Sequence, residues 1–480
     1  MADVFVKLQD KSLLVTSGLV AGEWKTGQDG KTFPVYEPSS ATVLQECANL
    51  SRQDFVDAIE SAKKGSANFH ENEGRCSASG TTWSSPTPTI NGKTFAEAWG
   101  EVVYAASFIS WFAEEATRSY GDTIPSSYAN TTVLTFKEPV GVCGIITPWN
   151  FPAAMITRKI APAFAAGCSV IVKPPSETPF SALALAKLAL AAGIPSDIIH
   201  VVPTKDREAS MELANNPIVK KLSFTGSTGV GKMLTKAAAG TMKRVSMELG
   251  GNAPFIVFDD ADIDQAVEGA LICKFRCSGQ TCVCANRLLV HEKVQEEFIE
   301  KLVKRVKQYK LGRGIDEGTT QGPLVNAAAV KKVDAHVRDA LKKGAVLHTG
   351  GKAPEGLEGY FYEPTVISGV TAEMEVAHDE TFGPLAAIFS FKTEAEAVEL
   401  ANATEYGLAG YFFSKDISRV MRVARRLECG MLGVNTGLIS AAEAPFGGVK
   451  ESGLGREGSK YGLAEYQNIK SVTIGNLGFH

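Results

Sequence analysis

Short apolar runs alternate with alanine-rich or amphipathic segments through the middle of the chain. The apolar runs end at turn residues, as buried strands do, and cover residues 142–146, 168–173, 198–202 and 221–224. Helical segments follow two of them, at 181–192, where Gly193 gives a C-terminal stop, and at 228–239. This strand–helix alternation predicts an α/β fold with a doubly wound parallel sheet.

A second alternation begins near Pro254. It comprises predicted helices at 263–274, 294–309 and 328–343 and a predicted strand at 287–291. A chain of 480 residues also exceeds what one hydrophobic core usually serves. The sequence therefore predicts two α/β domains in tandem.

Two further helices, at 55–64 and 97–115, flank a segment of a different character. Residues 76–90 read CSASGTTWSSPTPTI, which has neither helical nor strand periodicity. Clustered Ser, Thr, Gly and Pro are typical of a linker.

Charge and cysteine content argue against several classes of protein. The net charge is −4, with acids and bases interspersed, so we expect no nucleic-acid or membrane partner. The nine cysteines form no C-x-x-C pair, and we expect no metal site. No stretch approaches the ~20 apolar residues of a membrane span, and the N-terminus matches neither a secretory signal nor a transit peptide. The expected location is the cytoplasm, a reducing compartment.

Three local patterns carry candidate chemistry, although each is weak alone. Cys282 follows a Gly-containing turn, and a loop thiol becomes a nucleophile when a base lies near it. No histidine motif supplies that base, so a carboxylate is the remaining choice, and Glu248 stands before a Gly pair. The turn at 226–231 opens a helix and suits phosphate binding, with an ordinary strand–helix turn as the alternative.

Seven short motifs follow one another along the chain. They are TPWNFP at 147–152, KP at 173–174, FTGST at 224–228, MELGG at 247–251, GQTC at 279–282, ETFGP at 380–384 and PFGG at 445–448. In this order they resemble the aldehyde dehydrogenase superfamily from end to end. Within it the chain is most similar to the succinate-semialdehyde dehydrogenases, on four further stretches: MITRK at 155–159, KFR at 274–276, GLIS at 437–440 and GLGREGSKYG at 453–462.

The resemblance implies an NAD(P)-dependent oxidation of succinate semialdehyde to succinate. Cys282 would attack the aldehyde and carry a thiohemiacetal and then a thioester. The Asn150 amide and the Cys282 backbone N–H would stabilise the oxyanion, and Glu248 would activate water for hydrolysis. Arg158 and Arg276 would clamp the distal carboxylate with their planar forks, with Ser440 adding a hydroxyl. The alternative for both arginines is a structural ion pair.

A second implied set of residues binds the cofactor. It consists of Thr147, Pro148, Trp149, Lys173, Pro175, Ser176, Gly226, Ser227, Leu249, Glu380 and Phe382. Ser176 departs from the family's Lys-Pro-x-Glu form, in which the acid binds both adenosine-ribose hydroxyls. A carboxylate repels a 2′-phosphate and a hydroxyl can donate to it, so NADP is favoured over NAD. Glu177 is a competing charge, and a turn-capping Ser176 is the alternative.

The resemblance also divides the chain. Residues 1–117 and 139–250 would form the nicotinamide-cofactor domain and residues 251–450 the catalytic domain. Residues 118–138 and 463–480 would form a small β arm that assembles a homo-oligomer, a dimer or tetramer.

Cys284 lies two residues after the proposed nucleophile. The resemblance supports a redox role, because related succinate-semialdehyde dehydrogenases can carry the same C-x-C pair. An oxidised Cys282 would be resolved to a reducible disulfide. The alternative is a small packing thiol.

Residues 76–90 depart from the family, which has an amphipathic helix there. Read one nucleotide upstream, permissible codons spell LLRLWHDLVLANADD, which is helical and resembles the family. We hypothesise a gene-model or splicing error, which transcript sequencing tests. If the printed segment is real, the chain could instead be an inactive binding or structural protein on this fold. A second alternative to the main function is another semialdehyde or aromatic-aldehyde dehydrogenase of the same family.

Overall fold

A computed structural model describes residues 10–27, 29–71 and 91–476. The segment 76–90, with its hypothesised frameshift, lies outside the described residues. Two large sheets organise the chain, and helices pack on them.

The first sheet has eight strands. In spatial order they are Gly453–Leu454, Arg244–Glu248, Val219–Thr225, Val142–Ile146, Ser169–Lys173, Ile199–Val201, Gly18–Val20 and Glu23–Lys25. The five strands from Arg244–Glu248 to Ile199–Val201 are parallel, and the outer strands join antiparallel. The two middle strands, Val142–Ile146 and Ser169–Lys173, are mostly apolar and buried because both faces of the sheet are covered, as in doubly wound sheets.

The second sheet has seven strands. In spatial order they are Val346–Thr349, Thr365–Ser368, Leu385–Phe391, Ala285–His291, Ala253–Val257, Ala409–Phe413 and Met431–Val434. Every pairing is parallel except that of the edge strand Val346–Thr349. The prediction of two α/β units is confirmed, and each has its own buried apolar core.

The longer helices lie between these strands. They are Arg52–Glu71, Phe95–Glu115, Ala154–Ala166, Pro179–Ala191, Thr228–Ala239, Ile263–Ala270, Gln295–Val306, Ala327–Lys342, Glu394–Asn402 and Ile417–Arg426. Shorter ones are Arg207–Ser210, Glu212–Asn215, Glu375–His378 and Ser459–Ala464.

One predicted helix, 263–274, differs in form. It is α-helical over Ile263–Ala270 and continues as a π-helix over Leu271–Phe275. Cys277 and Ser278 then adopt left-handed backbone angles, with φ of 52° and 55°. Helical periodicity persists through a π-turn, so the sequence pattern does not reveal it. Such turns are frequent at functional sites, and this one leads into the loop of Cys282.

Two small antiparallel sheets complete the fold. The three-stranded sheet joins Gln467–Ile474, near the end of the chain, to Thr132–Pro139 and Thr123–Pro125, which are neighbours in sequence. A hairpin pairs Thr32–Glu37 with Thr42–Ala48. Within the described residues, no helix is both long and apolar enough to span a membrane.

Candidate active site

Several predicted functional residues stand at the carboxyl ends of the parallel strands of the first sheet. Glu248 ends its strand, Asn150 follows Val142–Ile146, and Gly226 follows Val219–Thr225. Carboxyl ends of parallel strands share one edge, where open α/β sheets bind ligands. The topology therefore brings together residues that are separated along the chain.

Cys282 is half-buried in the loop after the π-turn. Burial raises the pKa of its thiol to about 12, and the Arg158 guanidinium opposes that shift. Glu380 and Glu248 raise the pKa further, so both carboxylates act electrostatically on this sulfur. A nearby cation is what a buried thiol needs to become a thiolate.

Glu248 is buried at 2% exposure, and neither carboxyl oxygen has a hydrogen-bond partner among the described residues. Burial raises the pKa of its carboxyl well above the usual value, and the neighbouring Glu457 raises it further. Arg158 and Lys159 act in the opposite direction. An unpartnered carboxyl with a raised pKa suits general acid–base chemistry near neutral pH.

Asn150 is buried, and its side chain is fixed by contacts across the two sheets. Its amide Nδ2 donates to the Gln280 carbonyl at 3.0 Å, and its Oδ1 accepts from the Phe151 N–H at 3.2 Å. The Asn91 amide donates to the Asn150 carbonyl at 3.0 Å. The amide donor is thus held against the loop that carries Cys282.

An open helix terminus lies beside this centre. The helix Thr228–Ala239 begins after Ser227, whose side chain makes no capping hydrogen bond. A Cβ added at Gly229, in the first turn, would meet no atom within 4 Å. Free N–H groups with open space before them fit an anionic group such as a pyrophosphate.

The remaining predicted cofactor residues differ in their surroundings. Glu380 accepts a hydrogen bond from the Gly251 N–H at 3.2 Å, and burial raises the pKa of its carboxyl to about 7. Trp149 and Phe382 meet edge to face at 5.5 Å between ring centroids. Leu249 is buried against Gly231 of the helix. Thr147 lies beside the Lys173 strand and its Oγ1 has no hydrogen-bond partner among the described residues.

Lys173 and Ser176 lie at the end of the neighbouring strand. Both side chains are half-buried, and burial lowers the pKa of Lys173. The Ser176 hydroxyl donates to the Glu177 carboxylate at 3.2 Å. The competing charge of Glu177 therefore stands next to Ser176, and Pro174 and Pro175 follow Lys173 directly.

Arg158 is fully buried in the helix Ala154–Ala166. Its Nε lies 2.6 Å from a Glu457 carboxyl oxygen, and its guanidinium stacks on the Phe446 ring at 3.9 Å. Its Nη1 lies 3.7 Å from the Met155 sulfur, and Nη2 has no hydrogen-bond partner among the described residues. Arg158 therefore does form a structural ion pair, which was the alternative to a role in substrate binding. That ion pair with Glu457 involves only the Nε edge of the guanidinium.

The other two predicted substrate residues are less enclosed. Arg276 is half-buried, lies 5.3 Å from the Phe151 ring centroid, and lines a cavity of about 500 Å³. Ser440 is half-buried after the strand Met431–Val434. Arg158 is therefore the enclosed member of this set.

Sequence reasoning missed residues that hold this centre from the helix Phe95–Glu115. The Glu97 carboxylate accepts from the Cys277 N–H at 2.6 Å, and the Glu101 carboxylate accepts from the Ala153 N–H at 2.8 Å. Glu101 also forms a buried ion pair with Lys93. The sequence did contain a hint, because Glu97 and Glu101 stand at positions i and i+4 of a largely apolar helix. A carboxylate buried on such a helix needs a hydrogen-bond or ion-pair partner.

Comparisons with known proteins agree with the fold and the motifs. The model of the "Aldehyde dehydrogenase family" matches residues 88–472. A "Succinate-semialdehyde dehydrogenase [NADP(+)] 1" of Schizosaccharomyces pombe is 49% identical over 471 residues, covering 95% of each chain. A "Glutarate-semialdehyde dehydrogenase" of Pseudomonas putida is 50% identical, covering 98% of this chain and all of the relative.

A solved structure extends this agreement to three dimensions. The crystal structure of succinate-semialdehyde dehydrogenase from Burkholderia pseudomallei superposes with a TM-score of 0.94 at 50% identity, over 98% of this chain and 100% of the other. The family model spans most of the chain, and the relatives cover almost all of it. The chain belongs to the aldehyde dehydrogenase family.

Proposed function

We propose that this protein oxidises succinate semialdehyde to succinate with reduction of NAD(P), through a thioester on Cys282. The observation that carries the proposal is the mutual arrangement of a thiol, an unpartnered carboxyl and a buried arginine: Cys282, Glu248 and Arg158 act on one another electrostatically. Oxidation of a short aldehyde with a distal carboxylate needs a nucleophile, a base and a cation that binds the carboxylate, and these three groups can supply them.

The chain's own residues have distinct tasks in this reaction. The Cys282 thiolate attacks the aldehyde carbon, and the Asn150 amide with the Cys282 N–H stabilises the oxyanion. A bound nicotinamide would supply the hydride acceptor, so that the thiohemiacetal on Cys282 becomes a thioester. Glu248 then removes a proton from water, which hydrolyses the thioester to the acid and restores the thiol.

Several features support a dinucleotide at the helix terminus. The uncapped first turn with Gly226 and Ser227 suits the pyrophosphate. In this proposal Lys173, Pro175 and Ser176 bind the adenosine ribose and Glu380 the nicotinamide ribose, while Thr147, Pro148, Trp149, Leu249 and Phe382 flank the cofactor. The S. pombe relative is named for NADP(+), and Ser176 offers a hydroxyl rather than a carboxylate at the ribose.

Cofactor preference gives the first prediction. The native protein should use NADP more efficiently than NAD, and Ser176→Glu should lower kcat/KM for NADP by about tenfold or more, because a carboxylate repels the 2′-phosphate. Steady-state rates with both cofactors at saturating aldehyde measure this. Glu177→Gln is the matched control and should shift the preference further towards NADP. A strong native preference for NAD contradicts the proposal.

The substrate clamp rests on the unused end of the Arg158 guanidinium. Glu457 occupies Nε, so the Nη edge is left to a ligand. In the proposal Arg276 and Ser440 complete the carboxylate site. Glutarate semialdehyde is a second candidate substrate, because the P. putida relative is named for it and one extra methylene changes affinity only modestly.

The clamp gives the second prediction and the test of this function. Arg158→Ala should lower kcat/KM for succinate semialdehyde about 100-fold more than kcat/KM for butanal, because a carboxylate loses a buried charged partner. Arg158→Lys keeps a cation beside Glu457 and is the control for folding. A panel of succinate semialdehyde, glutarate semialdehyde and butanal measures the effect. Equal losses on acidic and neutral aldehydes exclude the clamp, and no cofactor reduction with any aldehyde favours the inactive alternative.

We also propose the domain division and assembly implied by the resemblance. The two large sheets support a cofactor domain of residues 1–117 and 139–250 and a catalytic domain of residues 251–450. The three-stranded sheet supports an arm of residues 118–138 and 463–480. Its exposed apolar side chains favour pairing with a second copy; they are Tyr120, Ile124, Tyr128, Phe136 and Ile469.

The redox role of Cys284 remains a proposal. Its buried Sγ lies 3.3 Å from the Lys274 Nζ and donates to the Lys274 carbonyl at 3.4 Å. These contacts hold Cys284 in place, so a disulfide with Cys282 requires the loop to move.

A further inference from the structure

One buried hydroxyl near the candidate active site has no role in the mechanism above. Tyr104 lies on the helix Phe95–Glu115, and its phenolic oxygen is buried without a hydrogen-bond partner among the described residues. Buried polar groups are almost always hydrogen-bonded in native proteins, so an orphan one calls for an explanation. A ligand that is not part of the chain is one such explanation.

The position of Tyr104 on its helix is informative. Glu97 and Glu101 on the same helix accept hydrogen bonds from the Cys277 N–H and the Ala153 N–H. Residues at i, i+4 and i+7 share one helix face, so Tyr104 continues the face that holds the nucleophile loop and the start of the Arg158 helix. Tyr104 therefore lies on the side of the helix that faces these two elements.

Ring contacts place this phenol next to the clamp rather than next to the sulfur. The Tyr104 ring meets the Phe108 ring edge to face at 4.9 Å, and the Arg158 guanidinium lies 5.4 Å from that same Phe108 ring. The charges that act on the phenol are, in order, Arg158, Arg276, Glu457 and Cys282. Burial raises the pKa of Tyr104, so the hydroxyl remains a neutral donor.

We propose that Tyr104 is a specificity-determining residue that donates its phenolic O–H to the distal carboxylate of the substrate, between Arg158 and Arg276. This inference rests on the proposed function. A carboxylate has about four lone-pair sites, which is more than one edge of a guanidinium can satisfy. Because an ionised carboxylate only accepts hydrogen bonds, it is a suitable partner for the unpartnered O–H donor of Tyr104. A neutral aldehyde offers no such acceptor at this end.

The test is Tyr104→Phe, which removes one oxygen and keeps the ring against Phe108. The KM for succinate semialdehyde should rise about tenfold, as expected for losing a hydrogen bond to a charged group, with a much smaller change in kcat. Inhibition by succinate should weaken about tenfold as well, which reports binding without chemistry. Butanal should be far less affected. The matched control is Ser107→Ala, which removes a hydroxyl that donates only to the Tyr104 carbonyl at 2.7 Å on the same helix.

The outcomes separate this inference from the proposed function. If the native enzyme does not prefer succinate semialdehyde to butanal, the proposed function fails and the inference falls with it. If the native enzyme has that preference and Tyr104→Phe keeps it, with unchanged succinate inhibition, only the inference is overturned. A proportional loss on both aldehydes, accompanied by a lowered melting temperature, also overturns it, since a structural role predicts that result.

Discussion

Cys282→Ser is expected to lower kcat for aldehyde oxidation by about four orders of magnitude or more, the scale seen when a covalent nucleophile is removed. The substitution exchanges sulfur for oxygen and leaves the loop backbone as it is. A serine hydroxyl ionises far less readily than a thiol, so the variant has no comparable nucleophile at neutral pH. Cofactor reduction followed by absorbance, with succinate semialdehyde in excess, measures the loss.

Cys284→Ala is the matched control, because it removes a thiol two residues away. It should keep most of the native activity, since this buried sulfur contacts only Lys274 among the hydrogen-bond partners described. Mild peroxide followed by dithiothreitol extends the experiment. If Cys284 resolves the oxidised nucleophile, native activity returns with dithiothreitol more completely than that of Cys284→Ala. Identical loss and recovery in both would assign Cys284 to packing alone, and an active Cys282→Ser would refute the thioester mechanism.

Glu248→Gln should have the second largest effect, and on a different step. Hydride transfer does not need the water-activating base, so the first turnover should still give one equivalent of reduced cofactor per active site. Thioester hydrolysis should then slow by about 100- to 1000-fold, the usual contribution of a general base. Rapid-mixing absorbance detects such a burst, and mass spectrometry of the quenched protein detects acylated Cys282.

The proposed role of Glu248 predicts how the deacylation rate changes with pH. Burial raises the pKa of Glu248 well above its ordinary value, so the protonated, inactive form persists to higher pH than for an exposed glutamate. The deacylation rate of the native enzyme should therefore rise as pH increases through that raised pKa. Glu248→Gln has nothing to titrate and should lose this rising limb. A variant without a burst, or one that keeps the native pH profile, would assign the base to another residue.

The sequence by itself determined several elements of the first sheet and the chemical motifs, whereas it predicted only one strand of the second sheet, at 287–291. The strands Val142–Ile146 and Ser169–Lys173 and the helix Thr228–Ala239 follow their predicted bounds to within one residue, because their hydrophobic periodicity and turn residues are local properties of the chain. Cys282 and Glu248 became candidates because the motifs GQTC and MELGG stand in the order that resembles the aldehyde dehydrogenase family, since each pattern is weak alone.

The tertiary structure alone decided which groups meet. Arg158 binds Glu457, Glu97 holds the Cys277 N–H across 180 residues, and Asn150 reaches the Gln280 carbonyl across 130 residues. The orphan phenol of Tyr104 is visible only once its surroundings are packed. Each of these contacts depends on how separate helices and strands approach one another, and no local pattern of polar and apolar residues encodes that distance.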